Sequence, residues 1–200
     1  MIFIEFAACG ESHDEQHKAG ARLAEKMIFK YTGCRCKYDE AERTAGGKPY
    51  FKSLDGVDFS VSHSGRLVMC ALSVKNPKCP NVTALPPDGE IKIQNAYCIK
   101  TPDETLKVGA DIEHIIDSRQ KLERVSKRFF TSDENEYIHV GGFSPERFFE
   151  IWTKKESLGK KLGTGLSGVL YNKVSPGVDA RYQTFRIITD DGKYIGSVCY

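Results

Sequence analysis

The chain has 200 residues, of which 40% are hydrophobic and 28% charged, and a formal net charge of +2. These are globular values, enough for one sizeable domain or two small fused lobes. So small a net charge gives no support to nucleic-acid binding, and no apolar run approaches the roughly 20 residues of a membrane span.

Seven cysteines, an odd number with no C-x-x-C among them, read as reduced thiols of a cytosolic protein. The lone C-x-C at Cys34 and Cys36 has no second half, which argues against a zinc site. The apolar start at residues 2–8 lacks a basic leader and reads as a first strand rather than a signal peptide. A helix is expected over 16–30, capped by Ser12 or Asp14 and closed by Gly33. Gly46-Gly47-Lys48-Pro49 marks a turn. Residues 57–64 alternate Val57, Phe59, Val61 and His63 against Asp58, Ser60, Ser62 and Ser64, so they form a strand with two distinct faces. Residues 67–74 return after Gly65.

Residues 75–107 carry breakers at Pro77, Pro80, Pro86, Pro87 and Pro102, and read as an inserted excursion with one short strand or part of a hairpin near 90–100. It is too short to bury a core of its own. Residues 108–113 alternate again, with Val108, Ala110 and Ile112 on one face and Gly109, Asp111 and Glu113 on the other. A helix over 118–130 sets Leu122, Val125 and Phe129 against a basic face of Arg119, Lys121, Arg124, Lys127 and Arg128. Thr131 and Glu134 form a capping box that opens a short helix to about Val140. Pro145 opens a longer helix whose apolar stripe is Phe148, Ile151, Leu158 and Leu162. Strands are expected over 166–171, 182–189 and 194–200, the last two joined by a turn at 190–193.

The chemistry-bearing residues fall on two of these elements. Asp111 and Glu113 leave one strand face together, where two unpaired carboxylates raise each other's pKa and a hard divalent cation relieves the conflict. The other reading is a solvated strand face. Trp152, Glu156 and Lys160 follow at four-residue spacing on one helix flank. Lys160 or a metal can supply the cation that Glu156 needs, and a plain surface Glu–Lys pair fits the same spacing. His63, flanked by serines and Gly65, is either a hydrogen-bonded turn residue or a donor to a phosphate oxygen.

Read in order, the motifs are G-K-P, S-H-S, D-I-E, R-F-F-T-x-x-E and W-T-K-K-E-S-x-x-K-x-x-G-x-G-L. From about Gly46 to Leu166 this resembles the 4′-phosphopantetheinyl transferases of the larger, surfactin-synthetase-activating class. The resemblance implies an α+β fold of two similar α/β halves in pseudo-twofold arrangement, residues 1–107 and 108–200, with the active site in the cleft between them. The first half would carry the coenzyme A-binding hairpin and the insertion, the second the metal site and a docking helix. It implies coenzyme A as donor, with a serine of an apo acyl or peptidyl carrier protein attacking the β-phosphorus and releasing 3′,5′-ADP.

By the same resemblance, Asp111, Glu113 and Glu156 hold Mg²⁺, with Mn²⁺ as an alternative. Lys48, Ser62, His63, Lys155 and Lys160 contact the coenzyme A phosphates or nucleotide. Glu156 and Lys160 are the catalytic pair, and the serine proton goes to Glu156 or to water on the metal. The basic helix 118–130 gains a reason, since carrier proteins present acidic helices. A cytoplasmic monomer, with no nucleic-acid or membrane partner, completes the expectation. This chain departs from the pattern at Ser60, where relatives carry Asn, at Ala110, in the insertion, and in lacking an early basic cluster, for which His17, Lys18 or Arg22 are the substitutes. The competing readings are a metal-dependent phosphoesterase using the same carboxylates and a non-catalytic carrier-protein-binding module.

Overall fold

Alternating apolar residues on two sets of strands force a layered answer, because each strand face needs its own cover. The computed structural model describes residues 1–78, 82–101, 107–169 and 181–200. In chain order the strands are β1 (Ile2–Ala8), β2 (Glu42–Arg43), β3 (Pro49–Tyr50), β4 (Val57–Ser64), β5 (Leu67–Val74), β6 (Thr83–Ala84), β7 (Glu90–Ile91), β8 (Tyr97–Ile99), β9 (Gly109–His114), β10 (Tyr182–Thr189) and β11 (Gly192–Cys199). The helices are α1 (His13–Thr32), α2 (Arg119–Phe129), α3 (Ser132–His139) and α4 (Pro145–Leu162).

The first sheet runs β4-β5-β1-β8-β6 and the second β7-β10-β11-β9. They face one another across a shared apolar core. Ile2, Ile4, Leu67, Met69 and Ala71 come from the first sheet, and Val108, Ala110, Ile112, Phe185, Ile187 and Val198 from the second. The alternate residues of the first sheet, including Phe3, Val68, Cys70 and Leu72, pack on Leu23, Met27, Ile28 and Tyr31 of α1. Those of the second, Ile195 and Cys199, pack on Phe148, Ile151 and Leu158 of α4, with Leu122 of α2 and Ile138 of α3. The protein is thus an α+β stack of helix, sheet, sheet and helices. Each sheet carries a long antiparallel hairpin, β4–β5 or β10–β11.

Local chemistry explains the helix boundaries. Ser12 accepts from the Glu15 N–H while the Glu15 carboxylate takes the Ser12 N–H, a reciprocal cap that starts α1 three residues earlier than its apolar spacing suggests. Thr131 and Glu134 repeat the device on α3. Gly33 and Gly163 close α1 and α4 in the left-handed conformation that residues with a Cβ rarely adopt.

Three expectations are corrected. Residues 166–168 form a 3₁₀ turn rather than a strand, because the chain after Gly163 folds back along α4 until the Gly165 carbonyl stands against Gly159; residues 170–171 lie outside the described positions. Leu162 is 48% exposed, since it falls beyond the part of α4 that the second sheet covers. Instead of one short strand or part of a hairpin near 90–100, the insertion contributes to both sheets: β8 pairs antiparallel with β1, β6 pairs parallel with β8, and β7 pairs parallel with β10. The breakers at Cys79, Pro80 and Pro102 lie outside the described residues.

α4 lies directly on β9 because Gly109 has no side chain: a Cβ there would stand 1.8 Å from the Ser157 carbonyl oxygen. Gly109→Ala should therefore destabilise the fold by about 3 kcal/mol, from displacement of a whole helix rather than of a flexible side chain. Urea unfolding measures this, and a loss below a few tenths of a kcal/mol would contradict the packing described.

Candidate active site

β4 and β9 are the facing edge strands of the two sheets. The polar side chains of β4 take the place of a backbone partner, in a constant register. Asp58 Oδ2 accepts from the Val108 N–H at 2.7 Å, Ser60 Oγ from Ala110 at 3.0 Å, Ser62 Oγ from Ile112 at 3.4 Å, and Ser64 Oγ from His114 at 3.0 Å. Each step of two residues on one strand matches a step of two on the other. This ladder holds the D-I-E strand against the S-H-S strand.

The hydroxyls also reach the carboxylates. Ser62 Oγ donates to Asp111 Oδ1 at 2.7 Å and Ser64 Oγ to Glu113 Oε2 at 2.8 Å. Lys160, on the last turn of α4, donates to the same Asp111 oxygen at 2.7 Å and to Ser62 Oγ at 2.9 Å. The other Asp111 oxygen, Oδ2, is buried with no hydrogen-bond partner among the described residues. A buried, unsatisfied carboxylate oxygen is costly and marks a place for a donor or a cation.

Glu113 and Glu156 belong to the same electrostatic cluster. Burial, then the Asp111 charge, push the Glu113 carboxyl up to about 7, against a hydrogen bond from Ser64 and the Lys160 charge. Burial, then Asp111, push Glu156 up to about 7 as well, with Lys160 opposing. A shared hard cation would relieve this crowding with the oxygen donors that Mg²⁺ favours. The residues therefore fit a divalent ion, with Asp111 Oδ2 as the clearest ligand atom. They do not form a closed cage as they stand: among the described residues no group of three or more His, Cys, Asp or Glu side chains is arranged to hold an ion. Lys160 lies on Asp111 instead.

Beside this cluster is a cleft of about 320 Å³. Glu156, Gly159, Lys160, Gly163 and Gly165 wall one side, and Tyr38, Arg43, the 46–49 loop, Ser60 and Val61 the other. The two glycine loops touch there, since a Cβ on Gly46 would lie 2.0 Å from the Gly163 carbonyl oxygen. Tyr38, Arg43 and Gly159 were not singled out by sequence reasoning, and G-G-K-P and G-x-G, the first and last motifs in order, carry no signal of their contact.

The expected phosphate contacts divide. Lys160 faces the cleft. Ser62 is turned to Asp111 and Lys160, so its hydroxyl serves the carboxylate. His63 is half-buried, its ring against that of His13, which is followed by His17 and then Tyr38. Burial first, then the Lys160 and His13 charges, hold the His63 pKa below its ordinary value. Lys48 lines the cleft, but its ammonium is engaged by Asp58 and by the Val108 carbonyl at 2.8 Å, where it closes the start of β9. Lys155 is not a phosphate ligand. It is fully buried on another face of α4, paired with buried Glu134 at 3.0 Å and set over the Phe130 ring. One residue along a helix is about 100° of rotation, so Lys155 and Glu156 cannot both face the cleft. Of the substitutes for an early basic cluster, Lys18 pairs with Asp14 and Arg22 lies in a separate groove with Phe29, whereas His17 stands beside Tyr38.

The basic face of α2 is on the surface, with Lys121, Arg124 and Lys127 exposed. Arg119 is held by Glu123 at 2.9 Å. The described cysteines, Cys9, Cys34, Cys36, Cys70, Cys98 and Cys199, are free thiols. No described helix is long and apolar enough to cross a membrane.

A carboxyl whose folded-state pKa is about 7, against 4.5 ordinarily, binds more protons folded than unfolded between those values. Stability is thus lost as pH rises from about 4.5 to about 7, and the penalty stays in full above that. In the absence of divalent cations at pH 8, Glu156→Gln should melt about 5 °C higher than the parent, and the gap should close near pH 4.5. Calorimetry across pH checks this, and equal melting temperatures at pH 8 would contradict the burial of that charge.

Residues 107–193 match the model of the 4′-phosphopantetheinyl transferase superfamily. The chain is also 28% identical over 125 residues to a Bacillus subtilis protein described as 4′-phosphopantetheinyl transferase. That alignment covers 60% of this chain and 40% of the relative, so the chain matches less than half the length of the relative. The family match contains the D-I-E strand, the basic helix and the whole of α4. Over residues 107–193, which carry the carboxylate cluster set at the cleft, the chain is thus similar to the 4′-phosphopantetheinyl transferase superfamily.

Proposed function

We propose that this protein transfers the 4′-phosphopantetheine arm of coenzyme A to a serine of an apo acyl or peptidyl carrier protein, releasing 3′,5′-ADP, in the manner of the larger, surfactin-synthetase-activating class. The observation that carries the reading is the buried, unpartnered Oδ2 of Asp111 beside two carboxyls pushed up to about 7 and a lysine at the rim of a cleft. Transfer to phosphorus chiefly needs charge neutralisation and in-line positioning, and this cluster is suited to both.

Asp111, Glu113 and Glu156 would hold Mg²⁺, or Mn²⁺ in its place, which when bound neutralises the pyrophosphate and the leaving phosphate. Lys160, already poised between Asp111 and Ser62, moves its ammonium to a phosphate oxygen as the donor enters. Glu156, beside the site that the carrier serine would enter, would accept its proton. Arg43 and the 46–49 loop border the space for the nucleotide, and His63 with His17 supplies the donors nearest to it in place of an early basic cluster. Lys48 acts indirectly, by closing β9 through Asp58.

The fold is read as two related halves, about 1–107 and 108–200, each with one long helix packed over one antiparallel hairpin. The walls of the cleft come from a single chain, which favours a monomer, and the chemistry asks for a compartment with coenzyme A, the cytoplasm. The α2 basic face meets the acidic helix of the carrier protein. A phosphoesterase would have no need for that face, and a non-catalytic binding module would have no need for three carboxylates.

Incubation with coenzyme A, Mg²⁺ and a panel of apo carrier proteins tests the reading by mass spectrometry. A gain of one phosphopantetheine is expected on at least one carrier, lost on chelation and reduced at least a thousandfold, roughly the scale of a lost electrostatic stabiliser, in Asp111→Ala. Release of phosphate from coenzyme A with no carrier modified would favour the phosphoesterase. Charge reversal at Arg124 and Lys127 together should raise KM for the carrier about tenfold and leave that for coenzyme A nearly unchanged. Equal changes in both would remove α2 as the docking face.

A further inference from the structure

A serine hydroxyl has one hydrogen to give and two lone pairs to receive with. In the ladder between β4 and β9, the Ser64 oxygen receives the His114 N–H at 3.0 Å, so its hydrogen is free to point elsewhere, and it points to Glu113 Oε2 at 2.8 Å. The next rung repeats the arrangement: Ser62 receives the Ile112 N–H and donates to Asp111. A backbone N–H at one position thus orients a hydroxyl toward the carboxylate one residue earlier, twice in succession.

Ser62 is shared with Lys160, whereas among the described residues the hydroxyl of Ser64 bonds to β9 alone. The position of Ser64 is itself secured. The neighbouring turn is tied down when Gln16 donates to the Gly65 carbonyl at 2.7 Å and the Arg66 N–H donates to the Tyr194 hydroxyl at 3.1 Å. That phenol in turn donates to Asp191 at 2.6 Å, and the Tyr194 ring stacks on His114 at 4.7 Å between centroids. His114, the partner of Ser64, is therefore held by the neighbouring strand of its own sheet.

We infer that Ser64 is a positioning residue: its hydroxyl fixes one oxygen of Glu113 and so aims the carboxylate for a divalent cation shared with Asp111 and Glu156. This rests on the metal reading above and adds to it a residue that does not touch the ion. Groups of this kind typically set metal affinity by about 10–100-fold.

Mn²⁺ binding to the purified protein, without coenzyme A or carrier, followed by electron paramagnetic resonance, is the test. Ser64→Ala should weaken Mn²⁺ binding about tenfold, and Ser64→Thr, which keeps the hydroxyl, should restore it to within about twofold. In a Glu113→Gln background, Ser64→Ala should have no further effect, because the bond it removes no longer steers a ligand. Wild-type affinity in Ser64→Ala, or an unchanged tenfold loss in the Glu113→Gln background, would overturn the positioning role and leave the metal reading standing. No Mn²⁺ binding by the parent protein would overturn both. If Ser64→Ala does not fold, a Ser64→Thr protein that folds but binds tenfold more weakly overturns the inference as well.

Discussion

Two sheet edges that cannot pair by backbone are joined by side chains. β4 offers a carboxylate and three hydroxyls at every second position, and Val108 with alternate residues of β9 returns an N–H to each. Unpaired edge groups buried between layers would be costly, and this ladder satisfies them. It also decides where the chemistry lies, because the residues alternating with those N–H groups on β9 include Asp111 and Glu113. Small polar residues at Ser60, Ser62 and Ser64 are what permit so close an approach. Ser60 serves Ala110 both ways, accepting from its N–H and donating to its carbonyl at 3.4 Å.

Into this frame α4 brings the opposite kind of constraint. Bare backbone at Gly109 lets the helix descend onto β9, and the descent carries Glu156 and Lys160 to the carboxylates. Burial then makes three acids and one ammonium mutually dependent. Lys160 compensates only part of the negative charge, and Asp111 Oδ2 has no hydrogen-bond partner among the described residues. The cluster is thus better matched to a cation and a polyanionic substrate than to its own company. The same helix shows the contrast on its far side, where Lys155 and Glu134 neutralise each other in full burial and make a structural pair.

Much of this was legible in the chain. β1, β4 and β5 fall on the expected residues, and the two faces of β9 fall as read, with Val108, Ala110 and Ile112 in the core. The Thr131–Glu134 capping box placed the start of α3 and Gly33 the end of α1, whereas α1 begins at His13 rather than at 16. What failed to show was partnership. The polar face of β4 reads as solvent-facing until another edge is known to lie opposite, so the ladder, and Ser64 with it, stayed hidden. Lys48 and Lys155 were placed by motif, whereas tertiary neighbours at Asp58 and Glu134 claimed them. The Lys155 error was avoidable, because it lies a quarter-turn from the Glu156–Lys160 stripe. The 166–168 stretch was misjudged because a short apolar run does not distinguish a strand from a turn that packs on a helix. The insertion's division between two sheets has no local signature at all.

The central claim is that these three carboxylates share one divalent ion against the diphosphate of coenzyme A, with Lys160 transferred from Asp111 to phosphate. Anomalous diffraction from crystals grown with Mn²⁺ and coenzyme A tests it directly. The account predicts a single Mn²⁺ peak touching Asp111, Glu113 and Glu156, with Lys160 moved off Asp111 Oδ1. Coenzyme A bound in the cleft with Mn²⁺ located elsewhere, and Lys160 still on Asp111, would contradict it.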